Sequence, residues 1–115
     1  MRRGDIYMVD LEPARGREAN KVRPAVIVSN NGANQSVEFN GRGVITVIPL
    51  TSNTSRVLTF QVFLGADECR LPRDSKAQCE QVRAVTPERM RKKVGAVPRP
   101  RMAEIDVALR RHLAL

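Results

Sequence analysis

The stretch Lys21-Val22-Arg23-Pro24-Ala25-Val26-Ile27-Val28-Ser29-Asn30 carries two bases and a proline straight into an apolar run. Val26, Ile27 and Val28 are β-branched and Ala25 is small, so the segment after Pro24 reads as a strand buried on both faces, closed by the polar cluster at Ser29. Pro24 has no N–H to give a ladder, which suits the first residue of a strand. Its ring also disfavours helical backbone at Arg23, so this arginine is held extended at the mouth of the strand. An arginine anchored that way is a candidate phosphate ligand; the simpler reading is a charge flanking a core strand.

Working outward, Asp5–Leu11 reads as strand one between Gly4 and Pro13, and residues 12–22 form a long charged connection that reads as a flap. Ser29–Gly43 is crowded with Asn and Gly and is expected to be a second irregular connection, anchored by Val37 and Phe39. Val44–Ile48 is β-branched and is expected to end at Pro49, followed by the polar turn Leu50–Arg56. Val57–Leu64 predicts strand four, Gly65–Lys76 a loop, and Ala77–Val85 strand five with a bend near Glu80 and Gln81, where alternation breaks. Thr86-Pro87-Glu88 predicts a short helix, and Val94–Val97 a last strand. Arg101–Leu113 predicts a terminal helix with Met102, Ile105, Leu109 and Leu113 on one face, Asp106 paired with Arg110 on the solvent side, and His112 packed or frayed beside the apolar stripe. Five or six short strands with no alternating helices imply a mainly β domain, a strongly bent antiparallel sheet or barrel, spanning residues 1–115.

The chain has 115 residues with 20 basic and 12 acidic side chains, a net charge of +8 and a pI near 10.7. That balance favours a polyanionic partner such as nucleic acid. The excess is concentrated near the ends: residues 91–115 hold seven bases and two acids, while residues 61–90 hold five of each. No apolar run is long enough for a membrane span or a signal peptide, so a cytoplasmic protein is expected. Cys69, Cys79 and the lone His112 lack the spacing of a disulfide framework or zinc site, and neither a metal, another cofactor nor a cysteine–histidine nucleophile is expected.

Gly4-Asp5-Ile6-Tyr7, Lys21 to Asn30, Pro49-Leu50-Thr51-Ser52, and Arg73-Asp74-Ser75 leading to Glu80-Gln81-Val82-Arg83 together resemble the MazF/PemK (Kid) toxin family over nearly the whole length. The resemblance implies an SH3-like barrel with a C-terminal helix, a homodimer, inhibition by a cognate antitoxin, and metal-independent cleavage of single-stranded RNA to a 2′,3′-cyclic phosphate and a 5′-hydroxyl. It carries Arg23 and Thr51 onto the family's catalytic arginine and threonine. The flap's Arg15, Arg17 and Lys21, the turn's Ser52 and Asn53, and Glu80 and Gln81 at the bend are the expected RNA contacts. One departure stands out: where the Kid branch has a catalytic arginine two residues before an acid, this chain has Gln78 before Glu80, which shifts weight to Arg23. Two other functions compete. A gyrase-poisoning toxin of the same fold would end in Trp-Gly-Ile, whereas this chain ends Arg111-His112-Leu113-Ala114-Leu115 and has no Trp. A plain nucleic-acid-binding barrel would want aromatic stacking platforms, and three Phe and one Tyr supply few.

Overall fold

A computed structural model describes all of residues 1–115. Strands β1 (Asp5–Asp10), β2 (Val22–Ile27), β3 (Ile45–Thr51), β4 (Gln61–Leu64), β5 (Ser75–Gln78), β6 (Arg83–Val85) and β7 (Met90–Ala96) build one sheet; helices α1 (Asn31–Asn40), α2 (Ala66–Cys69) and α3 (Arg99–Leu113) complete the chain. The order is β4-β5-β3-β2-β1-β7 with β6 beside the start of β3, and every pairing is antiparallel. Ile6 of β1, Val62 and Leu64 of β4, and Met102, Ile105 and Ala108 of α3 share one apolar cluster, so the sheet must curl around it. Its outer strands β4 and β7 are not hydrogen-bonded to each other, which leaves the barrel open.

β2 is the hinge of the core. Ala25, Val26 and Ile27 are all fully buried. Val26 enters the large cluster beneath α3, while Ala25 and Ile27 enter a second cluster with Val9, Leu11, Val37, Ile45, Val47 and Val85. Alternation along the strand therefore feeds two cores from three consecutive residues. Pro24 is the third residue of β2, not its first: it faces Met8 of β1, but β3 joins only from Ala25 onward, so one edge needs no donor. Pro49 likewise lies inside β3. It falls between the β6 pairing, which stops at Val47, and the β5 pairing, which starts at Leu50.

Several expectations fail for identifiable reasons. Ser29–Gly43 is not irregular but holds α1. Asn30 caps it by accepting from the Ala33 N–H at 2.8 Å, and Gly41 at φ 68° ends it by donating to the Val37 carbonyl at 2.8 Å. Asn34 is fully buried and clasps Ser29, donating to its carbonyl at 2.9 Å and accepting from its hydroxyl at 2.5 Å. The asparagines that read as turn formers are thus a cap and a buried anchor. Val37 packs as expected, but Phe39 is 91% exposed.

Residues 57–60 are not strand, because Gln61 folds back on Leu58, donating its N–H to the Leu58 carbonyl and accepting the Leu58 N–H on Oε1. Within the expected loop 65–76 lies α2, whose N-terminus is met by Glu68 and Asp74 carboxylates. The predicted bend in strand five is a 3₁₀ turn, Cys79–Gln81, separating β5 from β6, and the short helix after Thr86 is a 3₁₀ turn at Pro87–Arg89. β7 runs longer than Val94–Val97, since Met90 and Lys93 already pair with β1. In α3 the buried face is Met102, Ile105 and Ala108, with Leu109 half-buried and Leu113 48% exposed. Asp106 pairs with Arg3 at 2.5 Å and not with Arg110, because Arg3 is braced towards it by the Val28 carbonyl at 2.9 Å. His112 is exposed, its ring 6.1 Å from Phe60.

Candidate active site

Arg23 stays paired with Val9 of β1 but lies past the point where β2 and β3 part. Pairing runs Ile27↔Val47, Val26↔Ile48, Ala25↔Pro49 and then stops. Continued by two residues, that register sets Arg23 opposite Thr51, and residues opposite each other share a face. Beyond the last pair the strands diverge and leave room for a ligand.

The guanidinium of Arg23 is half-buried and has no carboxylate partner. Instead its Nε donates to the Asn20 carbonyl at 2.8 Å and its Nη2 to Asn20 Oδ1 at 3.2 Å. It faces a cleft of about 370 Å³. Lys21, Arg23, Arg73, Ser52 and Ser75 supply the polar lining, with Val22, Pro24, Leu50, Leu71 and Pro72 as walls, and no acid lines it. Two other hollows, of about 560 Å³ along β7 and about 340 Å³ between β4 and α3, each carry a glutamate. Three bases without acids make the first one an anion site.

The expected site residues separate into groups. Lys21, Arg23 and Ser52 meet in the cleft. Thr51 stands at the end of β3 beside it, with its hydroxyl accepting the Asn53 N–H at 3.3 Å, and Asn53 accepts the Ser55 hydroxyl at 2.8 Å, so this run turns on its own side chains. Arg15 and Arg17 are exposed on the flap. Gln81 grips that flap: its Nε2 donates to the Arg17 carbonyl at 3.0 Å and its Oε1 accepts the Ala19 N–H at 3.1 Å. Glu80 accepts from Gln61 Nε2 at 2.8 Å through one oxygen, while the other is buried without a partner.

Sequence reasoning missed Arg73 and Asn20. Arg73 lay in a quoted motif, so its type and place were visible; Asn20 acts through its own carbonyl and short side chain, which no pattern announces. Burial pushes the thiol of Cys69 up to about 11 and that of Cys79 up to about 12, the nearby Glu68 and Glu80 carboxylates adding to it, so both are protonated and inert at neutral pH. No three His, Cys, Asp or Glu side chains come together to hold a metal ion.

A curled antiparallel sheet that delivers a guanidinium without a carboxylate partner to an acid-free cleft defines a small, basic β protein with a cationic cleft. The chain belongs to the PemK-like, MazF-like toxin family of type II toxin–antitoxin systems, whose pattern matches residues 2–113. It is 52% identical over 115 residues to endoribonuclease MazF9 of Mycobacterium tuberculosis, covering 100% of this chain and 98% of that protein. It is also 52% identical over 67 residues to the probable endoribonuclease MazF1 of the same organism, covering 58% of this chain and 72% of that one. MazF from Deinococcus radiodurans shares the fold with a TM-score of 0.83 at 21% identity, over 100% of this chain and 97% of that one. A mycobacterial endoribonuclease solved with its cognate antitoxin superposes at a TM-score of 0.78 and 23% identity, over 100% and 96%.

Proposed function

We propose that this chain, as one toxin domain over residues 1–115, is an endoribonuclease that cuts single-stranded RNA without a metal ion and is held in check by a cognate antitoxin. The unpaired Arg23 in an acid-free cleft carries the reading, and the 52% identity to an endoribonuclease over the full length supports it. In the reaction a ribose 2′-hydroxyl attacks the adjacent phosphate, charge builds on the phosphoryl oxygens, and the 5′-oxygen leaves. The products are a 2′,3′-cyclic phosphate and a 5′-hydroxyl. Arg23 neutralises that charge with a planar fork, Thr51 adds a hydroxyl donor, and Arg73 makes the potential of the whole cleft more positive.

Arginine holds its proton too tightly to shuttle it, so Arg23 acts by charge stabilisation. Lys21 and the flap's Arg15 and Arg17 steer the RNA backbone, and Ser52 and Asn53 border its path. The working form is a cytoplasmic homodimer. No helix is long and apolar enough to cross a membrane.

Purified protein incubated with a long RNA in EDTA, followed by mapping of the cut ends, tests this. Cleavage leaving 5′-hydroxyl ends is expected, and Arg23→Ala should lower it roughly 100- to 1,000-fold. Intact RNA with the wild type, or undiminished cutting by Arg23→Ala, sinks the reading.

A further inference from the structure

We propose that Gln81 and Asn20 are positioning residues that set the Arg23 guanidinium through the flap, and that Gln81 does so without touching RNA. This rests on the endoribonuclease reading of the same cleft. Gln81 lies on the 3₁₀ turn between β5 and β6, far in sequence from the flap. Its amide bridges two flap peptides as a neighbouring strand would, taking the Ala19 N–H and giving to the Arg17 carbonyl. Both ends of its amide are thereby occupied. One residue beyond Ala19, Asn20 turns its carbonyl and its Oδ1 together onto Arg23.

A guanidinium has two usable edges. Asn20 takes the side edge, Nε with Nη2, and leaves the end edge, Nη1 with Nη2, free for two oxygens of one phosphate. The relay therefore runs from the turn to the flap, from the flap to Asn20, and from Asn20 to the catalytic arginine. An exposed flap of charged residues has little core of its own to fix it, so loss of the Gln81 bridge frees Asn20 and lets the guanidinium rotate. Misplacing a catalytic group lowers turnover without weakening distant substrate contacts.

The test is made on the full chain with Gln81→Ala, Asn20→Ala and the double variant. It reads amide exchange at Ala19, the ¹⁵N signal of Arg23 Nε–H, and steady-state cleavage of a single-stranded RNA. Gln81→Ala should unprotect Ala19, broaden or lose the Arg23 Nε–H signal, and lower kcat about tenfold at unchanged KM. Because the two residues act in series, the double variant should fall no further than the worse single one. Gln81→Glu, which keeps the volume but turns a carboxylate onto the Arg17 carbonyl, should give the same direction if the alanine variant folds poorly. A raised KM with unchanged kcat would make Gln81 an RNA contact and overturn the proposal. Multiplying effects, roughly a hundredfold together, would break the relay. Unchanged Ala19 exchange or an unchanged Arg23 signal would overturn it as well. If the wild type cuts no RNA, the enzymatic reading fails, while the two spectroscopic signals still decide whether the relay exists.

Discussion

β2 is entered through one long connection and left through another, and the two are held in opposite ways. The helix α1 that follows it keeps its own ladder, a cap at each end, and two inward residues, Asn34 and Val37, that are locked into the fold. The flap that precedes it buries nothing fully after Leu11, and is tied by polar contacts alone: the Leu11 N–H to the Lys21 carbonyl at 2.9 Å, Lys21 N–H to Glu12 at 2.7 Å, Arg83 and Arg89 to the Leu11 and Glu12 carbonyls at its start, and the Gln81 amide near its end. One connection spends its side chains on stability, and the other leaves its charges free for a ligand. Damage to α1 should therefore appear in melting, and damage to the flap in binding or turnover.

The largest effect that separates them is expected at Asn34. Asn34→Ala strips Ser29 of two partners inside the fold and should lower stability by about 2 kcal/mol, read as the urea midpoint, while cleavage per folded molecule stays near wild type. A matching loss of turnover in the folded fraction would mean that α1, too, serves the cleft.

Alkali provides the next test, because the turn that carries the flap's anchor opens on a titratable thiol, whereas the only ionisable side chain of α1 is Glu38. Cys79 opens the turn that carries Gln81, and its thiol is raised by burial from 9.0 to about 12, as Cys69 is to about 11. The unfolded chain releases these protons first, so stability is intact below about pH 9 and is lost as pH climbs towards the folded values. Each thiol contributes up to ~1.4 kcal/mol per pH unit across that window. Cys79→Ala should flatten the decline in denaturant melts between about pH 9 and about pH 11; an unaltered slope would mean that the turn opens before the thiol is reached.

Gly41→Ala comes third. Its φ of 68° is left-handed, and a side chain there should cost about 1 kcal/mol and a few degrees of melting temperature, with RNA affinity untouched. The smallest effect on stability falls on the flap: Arg15→Gln with Arg17→Gln should leave melting within about 0.5 kcal/mol. The same pair should weaken RNA binding and reduce the salt slope by about 1.4, twice the single-strand value per phosphate contact. An unchanged slope in a titration would remove both arginines from the RNA path.

What could be seen in the sequence followed strong local patterns. The apolar run after Pro24 forced a buried strand, although it ends at Ile27 and leaves Val28 half-buried beyond it, and the break after Cys79 forced a bend. Met102 and Ile105 marked the inner face of α3, and Leu109 packs half-buried beside it, but Ala108 is buried and Leu113 is not. α1 stayed hidden because Asn30 and Asn34 are poor helix formers whose value comes from a cap and from Ser29, contacts that arise only after folding. Of the expected site residues, Arg23 follows from its place beside Pro24, and Lys21 and Ser52, expected with the family resemblance, line the same cleft. Asn20 and the Gln81 bridge were not legible in the sequence, because each depends on a backbone group at one end of its contacts, the Arg17 carbonyl and Ala19 N–H for Gln81 and its own carbonyl for Asn20, and every residue carries such groups.

The pairing of β1 with β7 bears on how the protein comes into being. Asp5 faces Ala96, and Tyr7 faces Lys93, so the first strand made must wait for nearly the last. Contacts of such long sequence separation slow folding, since the loop between them must close before any of them forms. On the ribosome, the N-terminal half emerges with β2 and Arg23 already synthesised while one edge of β1 and the helical cover α3 are still missing. A chain stalled or truncated before residue 90 thus lacks the cover over its larger core. Topology thus ties completion of the larger core to synthesis of the chain's C-terminal end.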